Sequence, residues 1–576
     1  MREKISLLAP WGAAPQTKTL SETTVHDLGM DSILKDVTPK EKEQFMILQV
    51  MAKMTSDPAV TKYRGDVFDD IYRHPEMRES MLKILDQINF LRDYGVFKRE
   101  YEEGASVWDL LHRLDDMMDY IRCVRAIYEC LSKEDLHSEG LLRLRDYVDR
   151  LYHEHGFEEL NRDVSRMKAD TATLRSVTVG INLNDRFEAA GIGLISVNSR
   201  PFTKSGALSN FCDRMSGKDA VEDSTEWKEN YKFHPFGASE SRIAQTMERA
   251  AVMQNPMLGI AAIPKGDAAG DITSYMDRVT NRMLSILVKR LREMLNRYVS
   301  VTITDITDLI PEFIYYIRWA EYLEKLAAHG MHFCKAEIAQ EPAENRSMHV
   351  KGLYNLKLAS AVTEHGETIV ANDLEFDAAR RVYLLTGANR GGKTTITQAV
   401  GQLFFLAQGG IYVPAGSFAF HPADGIYTHF PADEDKTMDL GRLGEECRRF
   451  REIYNEATRC SLLLLNETFS TTSFEEGYYI ARDSLRAILK KGIRTIYNTH
   501  MHKLALNLEE INCEFKEDQA ASLVVLSEDG KRSFKVAEAP PQGQSFAHDI
   551  AVKYGVTFEM LTGQEAAQNL YQNPIV

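Results

Sequence analysis

The chain has 576 residues, 44% hydrophobic and 27% charged, with a formal net charge of −15. This length exceeds one ordinary core and implies two to four domains of a soluble globular protein. The acidic balance excludes indiscriminate coating of nucleic acid, though not a local basic surface.

The start, MREKISLLAPWGAAPQ, is basic but lacks the sustained apolar core of a signal peptide. Residues 1–37 read as an N-terminal segment and residues 38–345 as a helical region. TPKEKEQFMILQVMAKM places Thr38 as N-cap, Pro39 at the first helical position and Glu41 in a capping box. Helical runs follow around 78–95, 106–132 and 139–153. HEH at 153–155 lacks the i, i+4 spacing that aims two histidines at one ion. With Gly156 behind it, it reads as a helix C-terminus.

In SVTVGINL the residues Val177, Val179, Ile181 and Leu183 alternate and GIGLISV returns, so 176–198 reads as a hairpin. Residues 199–270 look like an irregular insertion with basic and acidic residues in similar number. From 271 a stripe of Met276, Val279, Met283, Leu287, Leu291, Met294 and Tyr298 predicts one helix, roughly 40 Å long at 1.5 Å per residue. Opposite it lie Arg278, Arg282, Lys289, Arg290, Arg292 and Arg297, which form either a solvated face or a phosphate-contacting one whose binding would weaken with salt. Another helix covers about 305–328, and AEIAQEPAENRSMH at 336–349 marks the main boundary.

After it, strands expected at 382–386, 461–465 and 494–499 alternate with helices, the pattern of an α/β domain over 346–576. A hairpin turned at Asp529-Gly530 closes the sheet. SLLLL at 461–465, among the longest apolar stretches, is too short to span a bilayer. Seven cysteines without a CxxC pair favour reduced thiols, so a cytoplasmic protein without membrane contact is expected.

TGANRGGKTT at 386–395 follows the apolar run RVYLL directly and fits G-x-x-x-x-G-K-[ST] from Gly387 to Thr394. Glycines let backbone N–H groups turn inward around a phosphate, and the following helix adds about half a positive charge at its N-terminus. The expected ATP contacts are Gly387, Asn389, Gly391, Gly392, Lys393, Thr394 and Thr395, with Lys393 on the β- and γ-phosphates and Thr394 on Mg²⁺. SLLLLNE presents Glu467 at a strand tip, placed to orient an attacking water. Asn466 stands where an aspartate usually serves the Mg²⁺ shell, so weaker metal affinity and slow turnover are expected. TIYNTH ends at His500, which either senses the γ-phosphate or merely caps a strand.

Together, TGANRGGKTT, GGIYVPA at 409–415, ATRCSLLLLNETFSTTSFEEG at 457–477, NTH at 498–500 and IVAND at 369–373 resemble the MutS family of DNA mismatch-repair ATPases. The resemblance runs through most of 350–560. It implies a multidomain α plus α/β protein: a helical core and lever region, a clamp-like insertion at about 176–270, and a P-loop, ABC-like α/β ATPase domain. It also implies a homodimer with two ATP sites at the subunit interface, coupled through levers to a clamp on DNA. Within GRLGEE at 441–446, Gly441 replaces the family's usual serine, and Arg442 is the candidate for the contact across the dimer. Ile369 stands where many members stack an aromatic residue on adenine. The chain opens almost at once with helices, without room for mismatch-reading domains and without a Phe-x-Glu wedge, and no nuclease-like extension follows 560. Distorted or branched DNA is therefore the expected ligand. The alternatives are a nucleotide-gated switch with little hydrolysis, or action on ribosomes or structured RNA.

Overall fold

The computed structural model describes residues 5–93, 107–171, 176–183, 185, 189–198, 260–262, 285–297, 308–340, 344, 346–365, 368–387, 391–431, 441–470, 473–528, 531–540 and scattered positions from 552 to 561. The chain divides into two compact units. One comprises 1–78, 135–143 and 309–576, the other 79–134 and 144–308. The described part is a mixture of helices and α/β structure.

The first unit is built around a six-stranded sheet. Its strands are β1 (Arg380–Thr386), β2 (Ile426–His429), β3 (Leu462–Asn466), β4 (Arg494–Asn498), β5 (Gln519–Glu528) and β6 (Lys531–Glu538), in the order β2-β3-β4-β1-β5-β6. All pairings are parallel except that of β6 with β5. Strands such as LLLLN and RTIYN are buried throughout because helices cover both faces of a parallel sheet. Leu463, Leu465, Val382 and Leu384 pack with Tyr478, Leu485 and Ile488 of α3 (Phe474–Lys491). Ser473 caps α3 by accepting from Glu476 N, and Gly492 ends it in the left-handed conformation.

On the opposite face lies α1 (Lys393–Gln408), buried along nearly its whole length, so its polar side chains must find partners inside the protein. Gly401 is what lets it approach: a Cβ there would lie 2.8 Å from Leu464 and 2.3 Å from Leu28. Two glutamines of α1 satisfy backbone carbonyls of the N-terminal segment, Gln398 donating to Asp27 O and Gln402 to Leu28 O. Arg64 and Tyr315 donate to the carbonyls of Gln408 and Gly409 at its C-terminal end. Helices far apart in the chain, Pro58–Arg73 and Ile310–Ala328, are thus tied to α1. A smaller sheet of 337–338, 417–420, 348–353 and 372–376 lies in the same unit.

In the second unit, helix Val107–Ser132 packs with His155–Thr171 and Ser285–Arg297. The expected hairpin is present, Ser176–Leu183 against Ala189–Asn198, and Ile260–Ala262 joins it as a third strand. Leu291 and Met294 of the expected stripe are buried, while Lys289 and Arg290 are exposed. The remaining stripe and basic residues before 285, the residue Tyr298, the insertion at 199–270 apart from Ile260–Ala262, and the turn at 529–530 lie outside the described residues.

Two local expectations need correction. Thr38 is not an N-cap: the helix begins at Glu41 after Lys40, and Thr38 closes the preceding helix Met30–Val37. Its hydroxyl is drawn off by Glu43, to which it donates over 2.8 Å. Gly156 ends no helix, because a new one starts at His155. His153 does sit at a C-terminus, its ring on the Asp149 carbonyl, and among the described residues no cluster of His, Cys, Asp or Glu is arranged to hold a metal ion. The described cysteines are all free thiols, and none of the described helices is long and apolar enough to cross a membrane.

Candidate active site

In an open parallel sheet, ligands bind outside the carboxyl ends of the strands. Here β4 lies between β3 and β1, with Asn466 opposite Asn498 and Asn498 opposite Leu385. Three motifs spread along the chain from Gly387 to His500 therefore end side by side. β1 leads into Gly387, β3 into Glu467 and β4 into His500.

Gly387 has φ +133°, and a Cβ there would sit 3.1 Å from Val525 on β5. Only glycine leaves the strand along that path. The chain re-enters regular structure at Lys393, whose side chain is 5% exposed and donates to the Gly387 carbonyl over 3.0 Å. Burial pushes its pKa down, and Glu467 works in the opposite direction. A buried ammonium of this kind is stabilised by an incoming anion. Thr394 Oγ1 donates to Asn466 Oδ1 over 3.1 Å, and the Asn498 amide donates to the same oxygen.

Glu467 leaves β3 with φ +53°, a left-handed conformation that is strained for a side chain of this size. Its backbone N–H donates to Asn498 O over 2.9 Å and fixes that turn. The carboxylate accepts from His500 Nε2 at 2.6 Å. This bond, the His500 charge and Lys393 outweigh burial and hold the carboxyl below its ordinary range. Behind it, Thr468 donates to His429 O, and the buried His429 ring contacts Thr468 Oγ1 and Glu446 O. Burial, with Arg449 beside it, lowers the His429 pKa to about 4, so this ring is neutral at pH 7.

Lys393, Thr394, Glu467 and His500 border a cavity of about 680 Å³. Of the residues expected from sequence, Gly391, Gly392, Lys393, Thr394, Thr395, Ile369, Glu467 and His500 line it. Gly387 and Asn466 stand behind, joined through Lys393 and Thr394. Asn389 lies outside the described residues, and Arg442 falls in the first turn of α2 (Gly441–Glu456), its side chain not described. Sequence reasoning missed Asn355, which donates to Thr395 O over 2.9 Å, and Phe534, contributed by β6. No local motif marks either. The His429 contact behind the site was equally silent, since a strand-end histidine has no signature.

The donor set suits a hard divalent cation. Thr394 and Asn466 offer neutral oxygens and Glu467 one nearby carboxylate, which matches an ion that keeps several waters and draws its charge balance from phosphates.

Two family models match the chain: MutS domain V over residues 383–567 and the MutS2 N-terminal domain over 56–252. An Endonuclease MutS2 of Thermus thermophilus is 30% identical over 200 residues, covering 34% of this chain and 26% of the relative. A DNA mismatch repair protein MutS of Chlorobium chlorochromatii is 35% identical over 145 residues, covering 25% and 16% respectively. One of the same name from Chlorobium phaeobacteroides is 32% identical over 174 residues, covering 30% and 19%. The matched segments thus span about a quarter or less of these relatives.

Proposed function

Because the chain belongs to the MutS family, we propose that it is an ATPase whose nucleotide cycle drives binding to nucleic acid, with hydrolysis at the cavity between α1 and the tips of β3 and β4. The observation that carries this is the meeting of Lys393, Thr394, Glu467 and His500 on one cavity.

Within that reading, backbone N–H groups of the loop from Gly387 to Gly392, including Asn389, and the N-terminus of α1 with Thr395 receive the phosphates. Lys393 exchanges its bond to the Gly387 carbonyl for the β- and γ-phosphates. Glu467, ionised and oriented by His500, accepts the proton of the attacking water. Thr394 and, through its amide oxygen, Asn466 would hold Mg²⁺, which would supply charge neutralisation to the triphosphate. Ile369 lies against the nucleotide. Two such sites face each other in a homodimer, where Arg442 reaches across to the other subunit's γ-phosphate. ATP binding closes the dimer and moves the helical lever and clamp-like insertion onto distorted or branched DNA.

Asn466 supports a second reading, a nucleotide-gated binding switch that scarcely hydrolyses. Its side-chain oxygen already accepts from Thr394 and Asn498, and it carries no charge for the metal. The experiment is a turnover assay of the full chain with branched DNA, linear duplex, structured RNA and ribosomes in competition. Many-fold stimulation by branched DNA supports the first reading. A flat, near-zero rate with ATP-dependent binding supports the switch. Stimulation by RNA or ribosomes alone overturns the DNA assignment.

A further inference from the structure

Phe534 is an aromatic residue on a strand, yet it has φ +56° and remains 45% exposed. Both features are unfavourable by themselves: a bulky side chain resists the left-handed region, and an exposed phenyl ring forgoes burial. The local ladder explains how it is held there. Val525 pairs with Val536 and Ser527 with Arg532, so three residues of β6 oppose one of β5. Such a bulge re-aims a side chain, and bulges are over-represented next to active sites. Here the ring lines the cavity beside Gly392, where an added Cβ would lie 3.5 Å from Phe534 Cδ1.

The bulge is clasped from outside the hairpin. The buried side chain of Asn372 donates to Phe534 O over 3.2 Å and accepts from Val536 N over 2.8 Å. The same amide reaches Val370 O at 3.4 Å, on the segment whose Ile369 and Val370 also border the cavity. Ser533 donates to Leu526 O over 2.7 Å and pins the bulge from the other side. A strained, solvent-facing ring secured by a buried asparagine is a platform prepared for a flat partner. The same cavity is also lined by the aliphatic side chains of Leu358, Val362, Ile369 and Val370.

We propose that Phe534 is the stacking platform for the nucleobase and that Asn372 is the positioning residue that holds it. The inference rests on the nucleotide reading of the cavity. Aromatic stacking acts on the base and not on the phosphates, which gives the test its contrast. Parent, Phe534→Ala, Phe534→Trp and Asn372→Ala chains are titrated calorimetrically, with magnesium, against ADP and against inorganic tripolyphosphate. Phe534→Ala is expected to weaken ADP binding by about tenfold or more while tripolyphosphate binding is unchanged. Phe534→Trp keeps ADP affinity, and its added fluorescence, taken against the parent, is quenched by ADP and not by tripolyphosphate. Asn372→Ala shows the same base-selective loss, smaller in size. Parental ADP affinity in Phe534→Ala, or an equal loss for both ligands, overturns the proposal. A parent chain that binds neither ligand overturns the nucleotide reading itself.

Discussion

His500 Nε2 donates to Glu467 Oε1 across 2.6 Å, and Glu467 adopts a left-handed backbone at φ +53° where it receives that bond. The two residues follow different strands, and the bond orients the carboxylate and the ring against each other. A strained acid held by a specific donor is the arrangement expected of a group that must meet one water in one orientation.

Glu467→Gln should therefore leave nucleotide binding intact and lower turnover by roughly 10²–10⁴-fold. Calorimetry and a phosphate-release assay on the same preparation check both halves. Hydrolysis at the parental rate would remove Glu467 from its role.

The pH profile follows from the depressed Glu467 carboxyl. A lowered pKa keeps the carboxylate ionised above its ordinary value of 4.5, and its contribution is lost only as pH falls through the lower folded value. The acidic limb of the rate profile should thus lie below that ordinary value, and His500→Ala should shift it upward.

Lys393 presents two opposed expectations. Replacing it by alanine or methionine should cost about 2–5 kcal/mol of nucleotide binding, because phosphates lose a buried cation. Without nucleotide, Lys393→Met should be as stable as the parent or more so, since burial already disfavours the ammonium. Thermal unfolding with and without ADP separates the two effects.

Asn466→Asp keeps an acceptor for Thr394 and Asn498 and adds a charge at a position 7% exposed. Magnesium affinity in the presence of nucleotide should rise about tenfold or more, while the metal-free protein loses about 1–3 kcal/mol of stability. Magnesium titrations of turnover, together with denaturation in EDTA, test both. Unchanged magnesium dependence would show that position 466 does not serve the metal.

His429 is neutral when folded, its pKa lowered from 6.5 to about 4. Between these values the unfolded chain binds a proton that the folded chain refuses, so stability falls as pH drops through that window. The loss is on the order of 3 kcal/mol at one pKa unit per 1.36 kcal/mol. His429→Gln should flatten this part of the stability profile, measured by urea unfolding at pH 7 and pH 4.5.

The mixture of helical and α/β structure, the hairpin at 176–198 and the strands leading to Gly387, Glu467 and His500 were legible, because periodicity and turn chemistry are local. The helix start at Thr38 was misread for a long-range reason: Glu43 competes for its hydroxyl and is itself held by Arg318, far along the chain. Phe534 was illegible because a bulge depends on how two strands pair, and nothing in SFKV states the register.

By itself the sequence determined that a glycine-flanked lysine lies between a strand and a helix, that Glu467 ends an apolar strand, and that Asn466 brings no charge. These are properties of residue type and spacing. Only the tertiary structure decided that β4 lies between β3 and β1, so that the three motifs share one cavity. It alone tied Asp27, Arg64 and Tyr315 to α1 and its C-terminal turn and turned Phe534 toward the site. Strand order, burial and hydrogen-bond competition between distant segments are settled when surfaces pack, and no local pattern of side chains encodes them.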